Sequence, residues 1–126
     1  MTTLPQEIIL GYSIVAVPLD QCITQILSWV NTCTEKKSFV CANPHSLVQA
    51  RNDSLFQQAI HDADLVTPDG TGIVLASRIL GGSIHERVTG SDIFWGLSAA
   101  LDAIGGRSYF FLGSSEATLT SIKEKM

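Results

Sequence analysis

One carboxylate of this chain stands where α/β proteins commonly hold a ligand. Asp69 directly follows the short run Leu65–Pro68 and precedes Gly70, after which a helical pattern begins. A strand that turns tightly into a helix presents backbone N–H groups at the carboxyl end of a sheet, where ligands bind. A carboxylate placed there can take a proton from a substrate hydroxyl. A helix N-cap or a Pro-Asp-Gly turn explains the same aspartate, so these interpretations stay open beside catalysis.

A second group of interest lies in the polar connection at residues 83–90. Arg87 lies in a polar segment where no apolar pattern accounts for it. A guanidinium can bind a diphosphate through paired hydrogen bonds. A solvated arginine or a partner of Glu86 is the simpler interpretation. Thr89 and Asp92 stand three apart, which is typical of a capping segment and makes a ligand role the secondary reading.

Two other predicted strand ends also carry polar or small residues. Cys41 and Asn43 lie at the end of the first, and Gly113 follows the second, where it begins a Gly-Ser-Ser corner of low specificity for phosphate. Because the ends of parallel strands meet at one edge of a sheet, these residues are candidates for the same site as Asp69. The local chemistry indicates anion binding with one carboxylate base.

Other candidate motifs fail on spacing. The segment at residues 70–75 lacks the third glycine of the dinucleotide fingerprint, because Leu75 stands there, and this disfavours a nicotinamide-dependent oxidoreductase. Asp62 and Asp64 resemble the paired carboxylates with which some glycosyltransferases hold a metal. They precede the strand at the end away from Asp69, which indicates a solvated helix terminus. Histidines and cysteines show no metal-ligand spacing, so no metal site is predicted.

Strands alternate with helices along the chain, which predicts one α/β domain over residues 1–126. The expected architecture is a Rossmann-like, mostly parallel sheet with helices on both faces. Because the chain stops after a strand–turn–helix unit, we expect its C-terminus to be incomplete. The predicted strands are residues 8–10, 14–17, 38–42, 65–68 and 108–112, and the predicted helix caps are Asp20 (for a helix to about Thr34), Asn43, Asp53 and Thr89 or Ser91.

Composition narrows the class of protein. A net charge of −4 gives no basic face for nucleic acid or for a polybasic membrane patch. The cysteine count of 3 is odd, which favours reduced thiols in the cytosol, with Cys22 and Cys33 as core residues of the first helix. The N-terminus lacks the features of a signal peptide, and no apolar run reaches the roughly 20 residues of a membrane helix.

Four motifs in order resemble the WecG/TagA/CpsF family of bacterial glycosyltransferases, glycosyltransferase family 26. They are NPHSLV at 43–48, ADLVTPDG at 63–70, ERVTGSD at 86–92 and FLG at 111–113. The resemblance implies inverting transfer of a sugar, typically N-acetylmannosamine, from a UDP donor to a polyprenyl-diphosphate-linked acceptor sugar. Such reactions serve wall teichoic acid, enterobacterial common antigen or capsule and exopolysaccharide synthesis. Family members are about twice as long, so this chain resembles their N-terminal portion.

The resemblance also assigns roles within the site. It implies that Asp69 is the general base, that Arg87 contacts the donor diphosphate, and that neither metal nor cofactor is needed. It further implies a cytoplasmic protein, peripheral at the inner face of the membrane, whose docking segment lies beyond this chain; self-association is a further expectation. A non-catalytic nucleotide-sugar-binding module or inactive fragment is the alternative. The residues expected to bind substrate are Cys41 (where relatives commonly carry a small hydroxyl residue), Asn43, Thr67, Gly70, Arg87, Thr89, Gly90, Asp92 and Gly113.

Overall fold

A computed structural model describes residues 4–126 as a mixed α/β chain in which strands precede or separate helices. The α/β class is therefore confirmed, while a Rossmann-like topology stays a prediction. In chain order the elements are β1 (Gln6–Ile9), β2 (Tyr12–Val15), α1 (Leu19–Thr32), β3 (Phe39–Ala42), α2 (Pro44–Ala50), α3 (Ser54–Asp62), β4 (Leu65–Pro68), α4 (Thr71–Ile79), α5 (Gly90–Ile104) and α6 (Glu116–Lys125).

The strands form one antiparallel and one parallel pair. β1 and β2 make a hairpin whose turn, Leu10 and Gly11, has positive φ at both residues (52° and 85°), the backbone that two-residue hairpin turns favour. β3 and β4 pair in parallel, with Cys41 opposite Thr67 and Ala42 opposite Pro68. β2 lies alongside β4 without a hydrogen-bonded ladder among the described residues.

Successive strand residues pack against different helices, which places helices on both faces. Leu65 joins a core cluster with residues of α1 and α5, whereas its neighbour Val66 joins a cluster with residues of α2, α3 and α4. β2 divides in the same way, with Ile14 in the second cluster and Val15 in the first. Because side chains alternate along a strand, this division confirms the two-faced arrangement expected from the sequence.

Most predicted caps are confirmed, with one exception. Asn43, Asp53 and Thr89 each accept a hydrogen bond from a backbone N–H in the first turn of the helix that follows. The prediction that Asp20 caps α1 is wrong, because the N-cap is Pro18, whose backbone is extended and whose carbonyl accepts the first intrahelical bonds. Asp20 lies in the first turn instead, where a carboxylate favours the helix dipole.

The two cysteines of the first helical pattern have different environments. Cys22 is fully buried, as the apolar stripe predicts. Cys33 is exposed, so its predicted core position is wrong. The helix ends at Thr32, and Cys33 takes the left-handed C-cap conformation with φ of 49°. That change of backbone direction turns its side chain away from the stripe.

The predicted strand at residues 108–112 is absent from the structure. The segment pairs with no strand among the described residues, and Phe110 and Leu112 are 88% and 91% exposed. The alternate residues Tyr109 and Phe111 instead lie 6.5 and 6.3 Å from Phe94 of α5, measured between ring centroids. The prediction of a buried strand here is therefore wrong, because the segment has no pairing neighbour in the described chain.

Candidate active site

Two parallel strands end together and hold three chain segments at one corner. The N–H of Asp69 donates to the Ala42 carbonyl (2.9 Å), which joins the segments that follow β3 and β4. The N–H of Val88 donates to the Pro68 carbonyl (2.6 Å), which brings the loop before α5 to the same place. The N-termini of α2, α4 and α5 therefore meet at the carboxyl ends of β3 and β4. Their unpaired N–H groups make this corner favourable for an anion.

Two glycines allow α4 to begin against α2. Gly70 has φ of 104°, a conformation that side-chain-bearing residues rarely adopt, and a Cβ there would lie 3.8 Å from the Asn43 Cβ. At Gly72 a Cβ would lie only 2.6 Å from the Pro44 Cγ, so the close approach requires glycine. The Asn43 side chain caps α2 through its Oδ1, and its Nδ2 donates no hydrogen bond within residues 4–126. That amide is available to a ligand.

Asp69 is not a helix cap. The N-cap of α4 is Gly70, which has no side-chain capping bond, and the half-buried Asp69 carboxylate makes no hydrogen bond or ion pair within residues 4–126. The capping alternative raised by the sequence is therefore excluded. A carboxylate with no structural partner at the ends of two strands is available for chemistry.

The start of α5 is a capping box, as the spacing of Thr89 and Asp92 predicts. The Thr89 hydroxyl accepts from the Asp92 N–H (3.1 Å), and the Asp92 carboxylate accepts from the Thr89 N–H (3.2 Å). The Thr89 N–H and, to a lesser extent, the Thr89 side chain lower the pKa of the Asp92 carboxyl, with a smaller contribution from the charge of Arg87. The box leaves the N–H groups of Gly90 and Ser91 without partners among the described residues.

Cys41 and Thr67 form the floor of the corner. They are register partners on β3 and β4, and a Cβ on Gly90 would lie 3.4 Å from the Cys41 Sγ. Burial raises the pKa of the Cys41 thiol; contact with the Thr67 hydroxyl opposes this increase, and the charge of Asp69 adds to it. The contact falls short of hydrogen-bond geometry, so the fully buried Thr67 Oγ1 has no partner within residues 4–126.

Arg87 is exposed on the loop between α4 and α5. It makes no ion pair with Glu86 among the described residues, so the simpler pairing raised by the sequence does not form. Its side chain lines a cavity of about 300 Å³ together with Thr71, which directly follows Gly70. The structure thereby brings Arg87 to the edge of the corner that holds Asp69.

Gly113 lies apart from the other predicted site residues. It is exposed, has φ of 111°, and a Cβ built on it would contact nothing within 4 Å. The cavity that it lines, of about 820 Å³, is formed only by residues 107–126. Because residues 108–112 form no strand in the described chain, the expected convergence of Gly113 with the ends of β3 and β4 is not observed.

The Asp62 and Asp64 carboxylates lie at the other end of β4 and have structural partners. Asp62, the last residue of α3, accepts a hydrogen bond from Gln58 (2.7 Å). Asp64 accepts from the Ser38 N–H (2.8 Å) and lies 3.7 Å from the Lys37 ammonium. Asp64 therefore helps to join β3 and β4 at their start, whereas Asp62 is bonded within α3. Both lie away from Asp69, as their position before the strand predicts.

A polar network that the sequence did not suggest holds the Arg87 loop in place. Glu7 of β1 accepts from the Ser77 hydroxyl (2.7 Å) and from the Ser83 hydroxyl (3.1 Å) and N–H. Ser77 also accepts from the Ile84 N–H (3.1 Å). Although burial acts to raise it, these hydrogen bonds lower the pKa of Glu7. These partners are 70 or more positions apart in the chain, so no local sequence pattern predicts that they pair. The glycine at position 82 is consistent with the contact, because a Cβ there would collide with Glu7.

The fold and the corner together define an α/β protein in which one carboxylate without a partner in residues 4–126 lies among three helix N-termini. A sequence profile of the glycosyl transferase WecG/TagA/CpsF family matches residues 7–126, and the chain belongs to this family. The family expectation drawn from the motifs is thus confirmed.

A curated relative has a more specific activity. The chain is 28% identical over 87 residues to the N-acetylglucosaminyldiphosphoundecaprenol N-acetyl-beta-D-mannosaminyltransferase of Bacillus spizizenii. The matched segment covers 69% of this chain and 34% of the relative, so it spans about a third of that protein's length. Within residues 4–126, no helix is both long and apolar enough to cross a membrane.

Proposed function

We propose that this chain forms the site for an inverting sugar transfer from a UDP donor to a polyprenyl-diphosphate-linked acceptor, with Asp69 as the general base. The transferred sugar in this proposal is N-acetylmannosamine, in line with the name of the Bacillus spizizenii relative. The observation that most strongly supports it is the Asp69 carboxylate, which stands at the meeting point of three helix N-termini without a cap or ion-pair partner among residues 4–126.

Each functional group of the site has one role in the proposed reaction. The acceptor hydroxyl gives its proton to Asp69 as its oxygen forms a bond to the anomeric carbon. The bond between that carbon and the donor phosphate oxygen breaks, and UDP leaves with the electron pair. Arg87 and the N–H groups at the helix starts stabilise the charge that develops on the diphosphate. Asn43 Nδ2 and the N–H groups of Gly90 and Ser91 are available for substrate oxygens.

An acceptor with a polyprenyl chain resides in a membrane. The proposal therefore places the chain at the inner face of the cytoplasmic membrane during transfer, where a UDP-sugar and a lipid-linked acceptor are both accessible. Metal and cofactor are not part of the proposed reaction.

Asp69→Asn tests the assignment with minimal change of shape. We expect transfer from UDP-N-acetylmannosamine to a short-chain lipid-linked acceptor to fall roughly 10²–10⁴-fold, the usual contribution of a general base. UDP affinity, measured by calorimetry on the same chain, should stay close to that of wild type. Asp102→Asn is the matched control, because Asp102 is exposed on α5 and lies roughly 18 Å along the helix from Gly90.

Each contrary result has a distinct meaning. Equal turnover by Asp69→Asn and wild type would refute the base assignment. UDP binding without transfer by the wild-type chain would favour the non-catalytic binding module. Absence of both UDP binding and transfer would refute the proposed function itself.

A further inference from the structure

A groove beside the Asp69 corner is lined by two arginines and a histidine and, in the described chain, by no acidic residue. We call it the Arg78 groove. It has a volume of about 300 Å³, one wall from α4 and the other from the loop before α5. Its lining residues are Thr71, Val74, Leu75, Arg78, His85 and Arg87. The α4 residues recur at spacings of three, one and three, so they share one face of that helix.

The charge of the groove is opposite to that of the protein. The net charge of the chain is −4, yet two of its four arginines, Arg78 and Arg87, line this one cavity, and no acidic residue does. Neither arginine forms an ion pair within residues 4–126. Asp92 is close enough to interact with the charge of Arg87, but its carboxylate is engaged by Thr89. Two guanidinium groups without partners are suited to a group with several anionic oxygens.

The wall that bears His85 and Arg87 is fixed at both ends. Ser83 and Ile84 are bonded to Glu7 and Ser77 on one side, and Val88 donates to the Pro68 carbonyl on the other. Ile84 and Val88 are also buried, so the exposed segment between them is short. A wall held in this way loses little conformational freedom when a ligand binds.

We propose that the Arg78 groove binds a diphosphate group, held by Arg78 and Arg87 with His85 beside them. The inference rests on the proposed function, because it extends the anion site from Arg87 along α4. Both substrates of the proposed reaction contain a diphosphate, namely the UDP-sugar and the polyprenyl-linked acceptor. The half-buried Val74 and the exposed Leu75 give the groove an apolar side, against which a prenyl chain can pack.

Calorimetric titration of the full chain with inorganic pyrophosphate tests the groove without requiring turnover. We expect Arg78→Ala to weaken pyrophosphate binding about tenfold, and Arg78→Lys to restore part of the affinity, since lysine keeps the charge but not the paired geometry. Arg51→Ala is the control, because Arg51 is an exposed arginine at the C-terminal end of α2. Alanine is a good helix former, so the Arg78 variant should remain folded, and its Tm verifies this.

Separate titrations with UDP and farnesyl diphosphate identify the source of the group. The ligand whose affinity falls with Arg78→Ala in parallel with pyrophosphate is the one that occupies the groove. Unchanged pyrophosphate affinity in Arg78→Ala, or a loss for pyrophosphate alone and for neither substrate-like ligand, overturns the inference. These results are independent of the transfer assay. A chain that binds pyrophosphate and farnesyl diphosphate through Arg78, but neither binds UDP nor transfers sugar, refutes the proposed function and leaves the diphosphate assignment of the groove standing.

Discussion

Replacing Glu7 by glutamine tests how strongly β1 holds the Arg87 loop. The Glu7 carboxylate accepts three hydrogen bonds, from the Ser77 hydroxyl and from both the N–H and the hydroxyl of Ser83. Glutamine replaces one accepting oxygen with an NH₂ group, which cannot accept from these donors. Hydrogen bonds to a charged group contribute about 1.5–3 kcal/mol each, and water can replace part of this at a half-buried site. We therefore expect a loss of about 2 kcal/mol, or a fall in Tm of roughly 8 °C.

The loss of stability in Glu7→Gln should decrease as the pH is lowered. Because the folded-state pKa of Glu7 lies below the ordinary value of 4.5, its carboxylate contributes stability above about pH 4.5. That contribution is lost as pH falls through the folded-state pKa. The Tm difference between wild type and Glu7→Gln should thus be constant near neutral pH and shrink below about pH 4.5.

Thermal unfolding monitored by circular dichroism, at pH 7 and at steps down to pH 3, measures both quantities. Hydrogen exchange at residues 83–88 should also become faster in the variant. Glu124→Gln, an exposed change on α6, controls for the loss of one negative charge. Equal Tm values for Glu7→Gln and wild type at pH 7, or a difference that persists unchanged at low pH, would refute the assignment.

Two further outcomes test the packing around the site and the burial of the thiols. Gly72→Ala should destabilise the chain by about 1–3 kcal/mol, because the added Cβ would lie 2.6 Å from Pro44. Helix propensity alone would instead raise the Tm, and a raised Tm would contradict this packing. In the folded chain, Ellman's reagent should modify the exposed Cys33 quickly and Cys22 only after unfolding. Burial, with the nearby charge of Asp20, raises the pKa of Cys22 to about 11, so little reactive thiolate is present. Equal rates for the two cysteines would contradict the burial of Cys22.

Local signals explain why so much of the fold was predictable. Asn43 before Pro44, Asp53 before Ser54 and the Thr89–Asp92 pair mark helix starts through bonds that close within a few residues, and each forms as expected. Strand alternation likewise divides the core between two helical layers, as Leu65 and Val66 demonstrate.

The failures concern properties that no local pattern determines. Residues 108–112 have the continuous apolar composition of a buried strand, but a strand also needs a neighbour with which to pair. Cys33 matches the apolar spacing of α1, but the helix ends one residue earlier and the backbone reverses there. Gly113 follows the same unpaired segment and therefore does not join the corner in the described residues.

The same limit applies to the candidate site. Parallel strands bring Cys41, Asn43, Thr67 and Asp69 together because of topology alone, which the alternation of elements predicts. Arg78 has no motif around it. It lies beside Arg87 only because it shares one face of α4 with Thr71, about two turns further along the helix. Glu7 reaches the Arg87 loop through contacts that span most of the chain, so its role requires the three-dimensional structure.

Under the proposed function, the charge of the corner changes during the reaction. In the proposed transfer, the carboxylate becomes neutral as it accepts the proton, at the same stage as negative charge increases on the leaving diphosphate. The additional negative charge of UDP therefore develops as the charge of Asp69 is lost, and the helix N-termini stabilise it. A capping aspartate would be less suited to this exchange, because protonation would weaken the bond that holds the helix start. Gly70 as the N-cap of α4 separates the two tasks, so Asp69 can change its charge without loss of the cap.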